Sequence, residues 1–256
     1  MSTEQHKSIY TLAKLQHFDP TVFLSSDKEE QKVCDFILSL ALIYNDFCDL
    51  LFIFDLHLKN PPPETCPKIS TERGHYTGMQ LHTMRLIYSL FRETVYLIRG
   101  RKDILNSDLF KKVFQSLSKT DKEYWTALVD TALDRSSDAT EFNRFLEAIR
   151  TKLTFHYIVL DSLGEGYKRH FFDTDKKKLQ DAFISRGLSM SEERFYFADA
   201  AIENAMKVMR EGKEEEFRKH TKEYSQRIGA AIRAVVTNFI QNVRKAGWVD
   251  YSESND

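Results

Sequence analysis

Apolar residues recur along most of the chain at intervals of three or four, the period of an α-helix with one face toward a core. The longest such stretch predicts a helix over residues 27–58, which ends at Asn60 and the three prolines after it. Further periodic stretches predict helices over residues 77–98, 108–117, 121–133, 141–161, 175–184, 189–210 and 213–245. The alternation that marks a strand is weak throughout. The pattern therefore predicts an all-α helical bundle.

The predicted helix over residues 27–58 is apolar on two faces and long enough to suggest a membrane span. Its aspartates oppose that interpretation, because each costs roughly 2.5–3.5 kcal/mol at a bilayer centre. We expect instead a central core helix covered on two sides. Buried carboxylates need partners, and Arg85 or Arg92 of the next helix could pair with Asp46 and Asp49. The alternative is that these aspartates line a functional cleft.

The bulk composition fits a globular protein without a strong charge. The chain has 256 residues, 42% of them hydrophobic and 29% charged, with a net charge of -1. This balance excludes the global basic surface of a DNA-coating protein, but it leaves room for a local RNA-binding patch. Three cysteines without paired spacing indicate a reducing environment, and the N-terminal residues lack an apolar signal core. We therefore expect a cytoplasmic protein.

The predicted helix over Glu141–Asp161 carries the candidate chemistry. Arg150 and His156 are separated by five residues, and Tyr157 follows directly. An arginine keeps its charge at every physiological pH, and a histidine titrates near neutrality. Such a pair suits phosphate chemistry, because one group stabilises negative charge while the other moves a proton.

This Arg-x5-His spacing, late in an apolar helix and running into Phe-His-Tyr, resembles the HEPN superfamily. The resemblance implies an HEPN-like bundle with additional C-terminal helices and a metal-independent endoribonuclease of a microbial defence or toxin–antitoxin type, with no cofactor. It assigns charge stabilisation to Arg150 and acid–base chemistry to His156, with Thr151 and Tyr157 orienting them. Thr151 stands where that family often has Asn, Asp or His, and its hydroxyl can donate and accept one hydrogen bond.

Helix geometry restricts how this pair can act. Six steps along an ideal helix rotate by about 600°, which leaves the Arg150 and His156 side chains roughly 120° apart. Either the helix is distorted there, or two copies of the helix face each other. The HEPN resemblance implies the second arrangement, a homodimer through the Glu141–Asp161 helix.

A second hypothesis belongs to a different class: a non-catalytic dimerisation or binding module in which the same helix is only an interface. The arginine and histidine are then ordinary residues of an amphipathic helix. Gly164 and Gly166 are predicted to end the motif helix. Lys168, Arg169 and His170 are then predicted to lie in a loop, either as a local RNA-binding patch or as solvated charges. Glu93 has the same two interpretations as the aspartates of the long helix, a structural ion pair or a cleft.

The organisation of the chain allows one or two units. We predict an HEPN-like bundle over residues 1–186 and a C-terminal helical extension over residues 187–256 that packs on it, with a single domain as the alternative. Glu72 and His75 have a spacing found in carboxylate-bridged metal sites, but the second copy that such a site needs is missing from the sequence. We predict no metal. RNA and a regulatory protein are the expected partners.

Overall fold

The computed structural model describes residues 16–154, 160–172, 181–186, 189, 193–212 and 214–250. These ranges contain the α-helices α1 (Lys28–Leu58), α2 (Thr71–Gly100), α3 (Lys102–Leu105), α4 (Asp108–Ser116), α5 (Lys119–Ala132), α6 (Ser137–Ile149), α7 (Leu160–Phe171), α8 (Tyr196–Arg210) and α9 (Glu214–Asn238). A 3-10 helix (Pro20–Phe23) precedes α1, and π-helical segments follow α6 (Arg150–Thr154) and α9 (Phe239–Val243). Two-residue strands, Gln16–His17 and Val249–Asp250, pair antiparallel. The predicted all-α class is confirmed.

Short polar side chains fix where the helices begin. The Asp27 carboxylate accepts hydrogen bonds from the main-chain N–H groups of Glu29 and Glu30, and this cap starts α1. Ser70 caps α2 in the same way, so α2 begins at Thr71 rather than at residue 77 as predicted. Ser118 caps α5 through the N–H of Asp121. Periodicity located these helices, and the caps set their first residues.

The helices share one hydrophobic core. Helix α2 packs against α1, α5 and α6, and α9 packs against α1 and α5. Ile228 and Ile232 of α9 are 1% and 0% exposed and belong to the same buried cluster as Ile37 of α1 and Phe91 of α2. The C-terminal helices therefore complete the core that the N-terminal helices begin. The division of the chain after residue 186 stays a prediction.

Helix α1 is buried on one side and exposed on the other. Val33, Ile37 and Leu40 are at most 1% exposed, whereas Leu42 and Leu56 expose 62% and 42% of their surface. Of the 18 most apolar consecutive residues of α1, 22% are buried. By its length and composition alone, this helix could cross a membrane. The prediction of a helix covered on two sides is therefore wrong for the side that carries Leu38, Leu42 and Leu56, because these side chains remain exposed.

Helix α7 continues through the two glycines that were predicted to end a helix. Gly164 has open space around it, whereas a Cβ on Gly166 would overlap the Ala201 carbonyl and lie 2.8 Å from the Ala205 nitrogen. Gly166 thus allows the backbones of α7 and α8 to approach closely. Residues 181–184 lie outside the helix predicted for them, and the rest of that predicted helix lies outside the described residues.

We expect opposite effects from alanine at these two glycines. Gly164→Ala should raise the free energy of unfolding by about 0.5–1 kcal/mol, because alanine favours a helix interior and meets no neighbour here. Gly166→Ala should lower it by about 1–3 kcal/mol, because the new methyl group forces α7 and α8 apart. Urea unfolding of both variants measures the difference. Shifts of the same sign would contradict this packing.

Candidate functional site: a polar seam between α2 and α6

One face of α2 carries a row of polar residues. His82, Arg85, Ser89, Arg92 and Tyr96 follow one another at intervals of three or four, so they line one side of the helix. Arg85 and Arg92 expose only 7% and 6% of their surface. This row faces α6 and the π-helical segment after it, and we call the whole arrangement the polar seam. Buried guanidinium groups require acceptors. The opposite side of the seam provides them for Arg85 Nη1 and Arg92 Nε, whereas Arg85 Nε and Arg92 Nη1 are buried without a hydrogen-bond partner among the described residues.

Glu147 of α6 is the acceptor for Arg92. The Arg92 Nε donates to the Glu147 carboxylate over 2.5 Å, and the Tyr96 hydroxyl donates to the same oxygen over 2.9 Å. The Arg92 guanidinium also lies 3.6 Å from the centre of the Tyr96 ring. Partial burial alone would raise the pKa of Glu147. The hydrogen bonds from Arg92 and Tyr96 outweigh this effect of burial, so the pKa of Glu147 lies below its ordinary value.

Arg150 lies at the first position of the π-helical segment. Its Nε donates to Glu93 of α2 over 2.7 Å, and its guanidinium carbon is 5.6 Å from the centre of the Tyr96 ring. The Arg150 side chain is 29% exposed. Its two terminal nitrogens make no hydrogen bond to the described part of the chain, so Glu93 and Tyr96 orient the guanidinium while leaving its outer edge open to solvent.

Arg85 ties α2 to the irregular turn. Its Nη1 donates to the Leu153 carbonyl over 2.6 Å, and its Nη2 lies 3.4 Å from His82 Nδ1. Partial burial lowers the pKa of His82, and the charges of Arg85 and Arg194 lower it further. These surroundings therefore favour the uncharged form of the His82 ring. Within the described ranges no carboxylate pairs with Arg85.

The helix is distorted where the motif begins. Thr151 Oγ1 donates to the Glu147 carbonyl over 2.7 Å, and Thr154 Oγ1 donates to the Ile149 carbonyl over 3.1 Å. Hydroxyl bonds of this kind compete with the main-chain ladder, and a π-helical turn takes one more residue than an α-helical turn. The continuous helix predicted over Glu141–Asp161 is thus interrupted after Ile149. His156 and Tyr157 lie outside the described residues.

The second predicted group, Lys168, Arg169 and His170, lies in the last turn of α7 rather than in a loop. Arg169 pairs with Glu211 over 3.0 Å, and the Asn204 amide lies 2.7 Å from His170 Nδ1. Arg169 and His170 therefore connect α7 to α8 and to the residue that follows α8. Lys168 is exposed. The loop prediction is wrong because the glycines that suggested it lie inside a helix.

The predicted ion pairs of the α1 aspartates with Arg85 or Arg92 are also wrong. Asp46 and Asp49 are exposed, and Arg85 and Arg92 face α6 instead of α1. Glu147 was not identified as a partner, although the regular spacing of the polar row on α2 was visible in the sequence. In the part of the chain that the structure describes, no three His, Cys, Asp or Glu side chains come together as metal ligands.

The lowered pKa of Glu147 predicts a pH-dependent contribution to stability. Ionised Glu147 stabilises the fold above the unfolded-state pKa of about 4.3, and this contribution is lost as the pH falls through the lower folded-state pKa. Because the Glu147 side chain is 37% exposed, solvent screens its ion pair. We therefore expect Glu147→Gln to lower the free energy of unfolding at pH 7 by only about 0.5 kcal/mol.

Urea unfolding at several pH values checks this expectation. The difference between wild type and Glu147→Gln should shrink below about pH 4. Glu123→Gln is the control, since Glu123 is exposed and has no ion pair with a described residue. A wild-type advantage over Glu147→Gln that is the same at every pH would contradict the assignment.

Comparison with known proteins adds no family to these observations. No protein-family model, no curated protein and no solved structure matches this chain. The resemblance to the HEPN superfamily therefore stands on Arg150, His156 and their helical context alone.

Proposed function

We propose that this protein is a metal-independent endoribonuclease of HEPN type, acting in microbial defence or in a toxin–antitoxin system. The observation that carries the proposal is the position of Arg150. Its Nε is held by Glu93, and its outer edge faces solvent beside buried Arg92. A guanidinium held in this way can present two N–H groups to the oxygens of one phosphate.

The proposed reaction uses the substrate as its own nucleophile. The ribose 2′-oxygen attacks the adjacent phosphorus, the bond to the 5′-oxygen breaks, and a 2′,3′-cyclic phosphate and a 5′-hydroxyl remain. His156 takes the proton from the 2′-hydroxyl or gives one to the leaving 5′-oxygen. Arg150 stabilises the extra negative charge on the phosphoryl oxygens. Thr151 and Tyr157 are assigned to orienting these two groups, and the Thr151 hydroxyl holds the turn through the Glu147 carbonyl.

The geometry of the turn supports a composite cleft of two copies. One extra residue in a turn rotates every later residue back by about 100° around the helix axis. If a helix continued from this turn, the Arg150 and His156 side chains would still be separated by roughly 140° around that axis. The apolar side of α6, including Phe142 and Leu146, is buried in its own protomer. The homodimer through the Glu141–Asp161 helix would therefore form through a polar edge with exposed Arg144 and Lys152, and this edge would attract RNA.

The first test is cleavage of mixed RNA in the presence of EDTA. We expect wild type to cut RNA and to leave DNA and 2′-O-methyl RNA intact, because the attack requires a free 2′-hydroxyl. Arg150→Ala and His156→Ala should each lower the rate by at least about 100-fold. Arg233→Ala, which removes an exposed arginine of α9, is the control. Cleavage that stops in EDTA, or that persists in both variants, would refute the proposal.

The composite cleft has a test of its own. If Arg150 of one protomer acts with His156 of its partner, mixing the two inactive variants restores one intact site in every mixed dimer. After random exchange half of the dimers are mixed, and each mixed dimer has one intact site out of two. The mixture should therefore recover about a quarter of the wild-type activity. Recovery depends on subunit exchange, which co-expression of differently tagged variants ensures. An inactive, purified mixed dimer would place both groups in one protomer.

The alternative is a non-catalytic dimerisation or binding module. The ion pair between Arg150 and Glu93 favours it, because a purely structural arginine is neutralised in this way. This function predicts that RNA stays intact while light scattering detects a dimer, and that Arg150→Ala weakens the dimer or the fold instead of a reaction.

A further inference from the structure

The outer side of α1 presents a second surface with its own pattern. Leu38, Leu42, Asn45, Asp49 and Leu56 are all exposed and recur at intervals of four, three, four and seven. This is the a/d spacing of a coiled-coil seam. Exposed Ile53 and Asp46 flank the row. We call these seven residues the α1 seam.

The α1 seam is apolar at both ends and acidic in the middle. Leu38, Leu42, Ile53 and Leu56 expose 44%, 62%, 45% and 42% of their surface. Asp46 makes no ion pair with a described residue, and neither does Asp49, although both are exposed. Exposed apolar side chains grouped at both ends of one helix face indicate an interaction site. The acidic centre restricts which partner fits it.

Two occupants fit poorly. A second copy aligned along the α1 seam, parallel or antiparallel about its centre, would bring Asp46 and Asp49 against their own counterparts, and like charges at close range repel. A bilayer would have to accommodate both carboxylates at a cost of roughly 2.5–3.5 kcal/mol each at its centre. An occupant that brings positive charge to the middle and apolar side chains to both ends avoids both costs.

We propose that the α1 seam binds an amphipathic helix of another protein that carries leucine-like residues at both ends and lysine or arginine at its centre. Leu38 and Leu56 are separated by about 27 Å along the helix axis, so the partner helix needs about three heptads. A central cation would pair with Asp49, and Asn45 would favour one register, as single polar seam residues do in coiled coils. The proposal does not depend on RNA cleavage.

The test uses two synthetic helical peptides of three heptads, labelled with fluorescein. Both carry leucine at the outer a and d positions; one has lysine and the other glutamate at the two central positions. Fluorescence anisotropy measures their binding to the full chain. We expect wild type to bind the lysine peptide at least tenfold more tightly, and the double variant Asp46→Lys with Asp49→Lys to reverse this preference.

Two further variants separate the α1 seam from the rest of the helix. Leu42→Glu combined with Leu56→Glu should abolish binding of the lysine peptide. Asp55→Lys changes the same charge on another side of α1, because residue 55 stands about 120° from residue 49 around the helix axis, and it should leave the preference for lysine unchanged. Circular dichroism confirms that all variants keep the wild-type helix content.

Three results would overturn the proposal. The first is equal affinity for the two peptides, or no binding of either. The second is a concentration-dependent dimer that light scattering detects in wild type and that Leu42→Glu with Leu56→Glu removes, which would make a second copy the occupant. The third is sedimentation of the wild-type chain with phosphatidylcholine–phosphatidylglycerol vesicles that the same variant loses, which would make a membrane the occupant.

Discussion

The arrangement of α2 and α6 depends on two buried positive charges. Arg85 and Arg92 cannot lose their protons, so the protein has to supply acceptors where water is excluded. Glu147 supplies a carboxylate to one, and the Leu153 carbonyl accepts from the other. A carbonyl is seldom free on a regular α-helix, because each one accepts from the N–H four residues later. The irregular turn after α6 and the buried arginine of α2 therefore stabilise each other.

The same constraint determines the charge of the polar seam. Among the described residues the seam holds the guanidinium groups of Arg85, Arg92 and Arg150 and the carboxylates of Glu93 and Glu147, an excess of one positive charge. Arg150 is the most exposed of the three guanidinium groups. Excess charge around a partly exposed, oriented guanidinium suits an anionic ligand better than a neutral one.

Periodicity predicted most helices because the apolar residues of a buried helix face recur every three or four positions in the sequence. It could not predict the exposed side of α1, since a hydropathy pattern counts apolar residues without identifying what covers them. Gly166 was misinterpreted for a similar reason: a glycine that ends a helix and one that admits a neighbouring helix look alike in a sequence. The sequence suggests that Arg85 or Arg92 could pair with Asp46 and Asp49 of α1, whereas the polar row of α2 has α6 as its neighbour.

The two unusual surfaces carry opposite charge. The surplus positive charge of the polar seam would attract phosphates and repel a basic helix. The carboxylates at the centre of the α1 seam would attract a basic helix and repel a nucleic acid. Each surface would thus disfavour the partner proposed for the other, and like-charge repulsion is an effective source of specificity. A helix bound to α1 and an anion at the polar seam would therefore not compete for the same residues, and one chain could hold both.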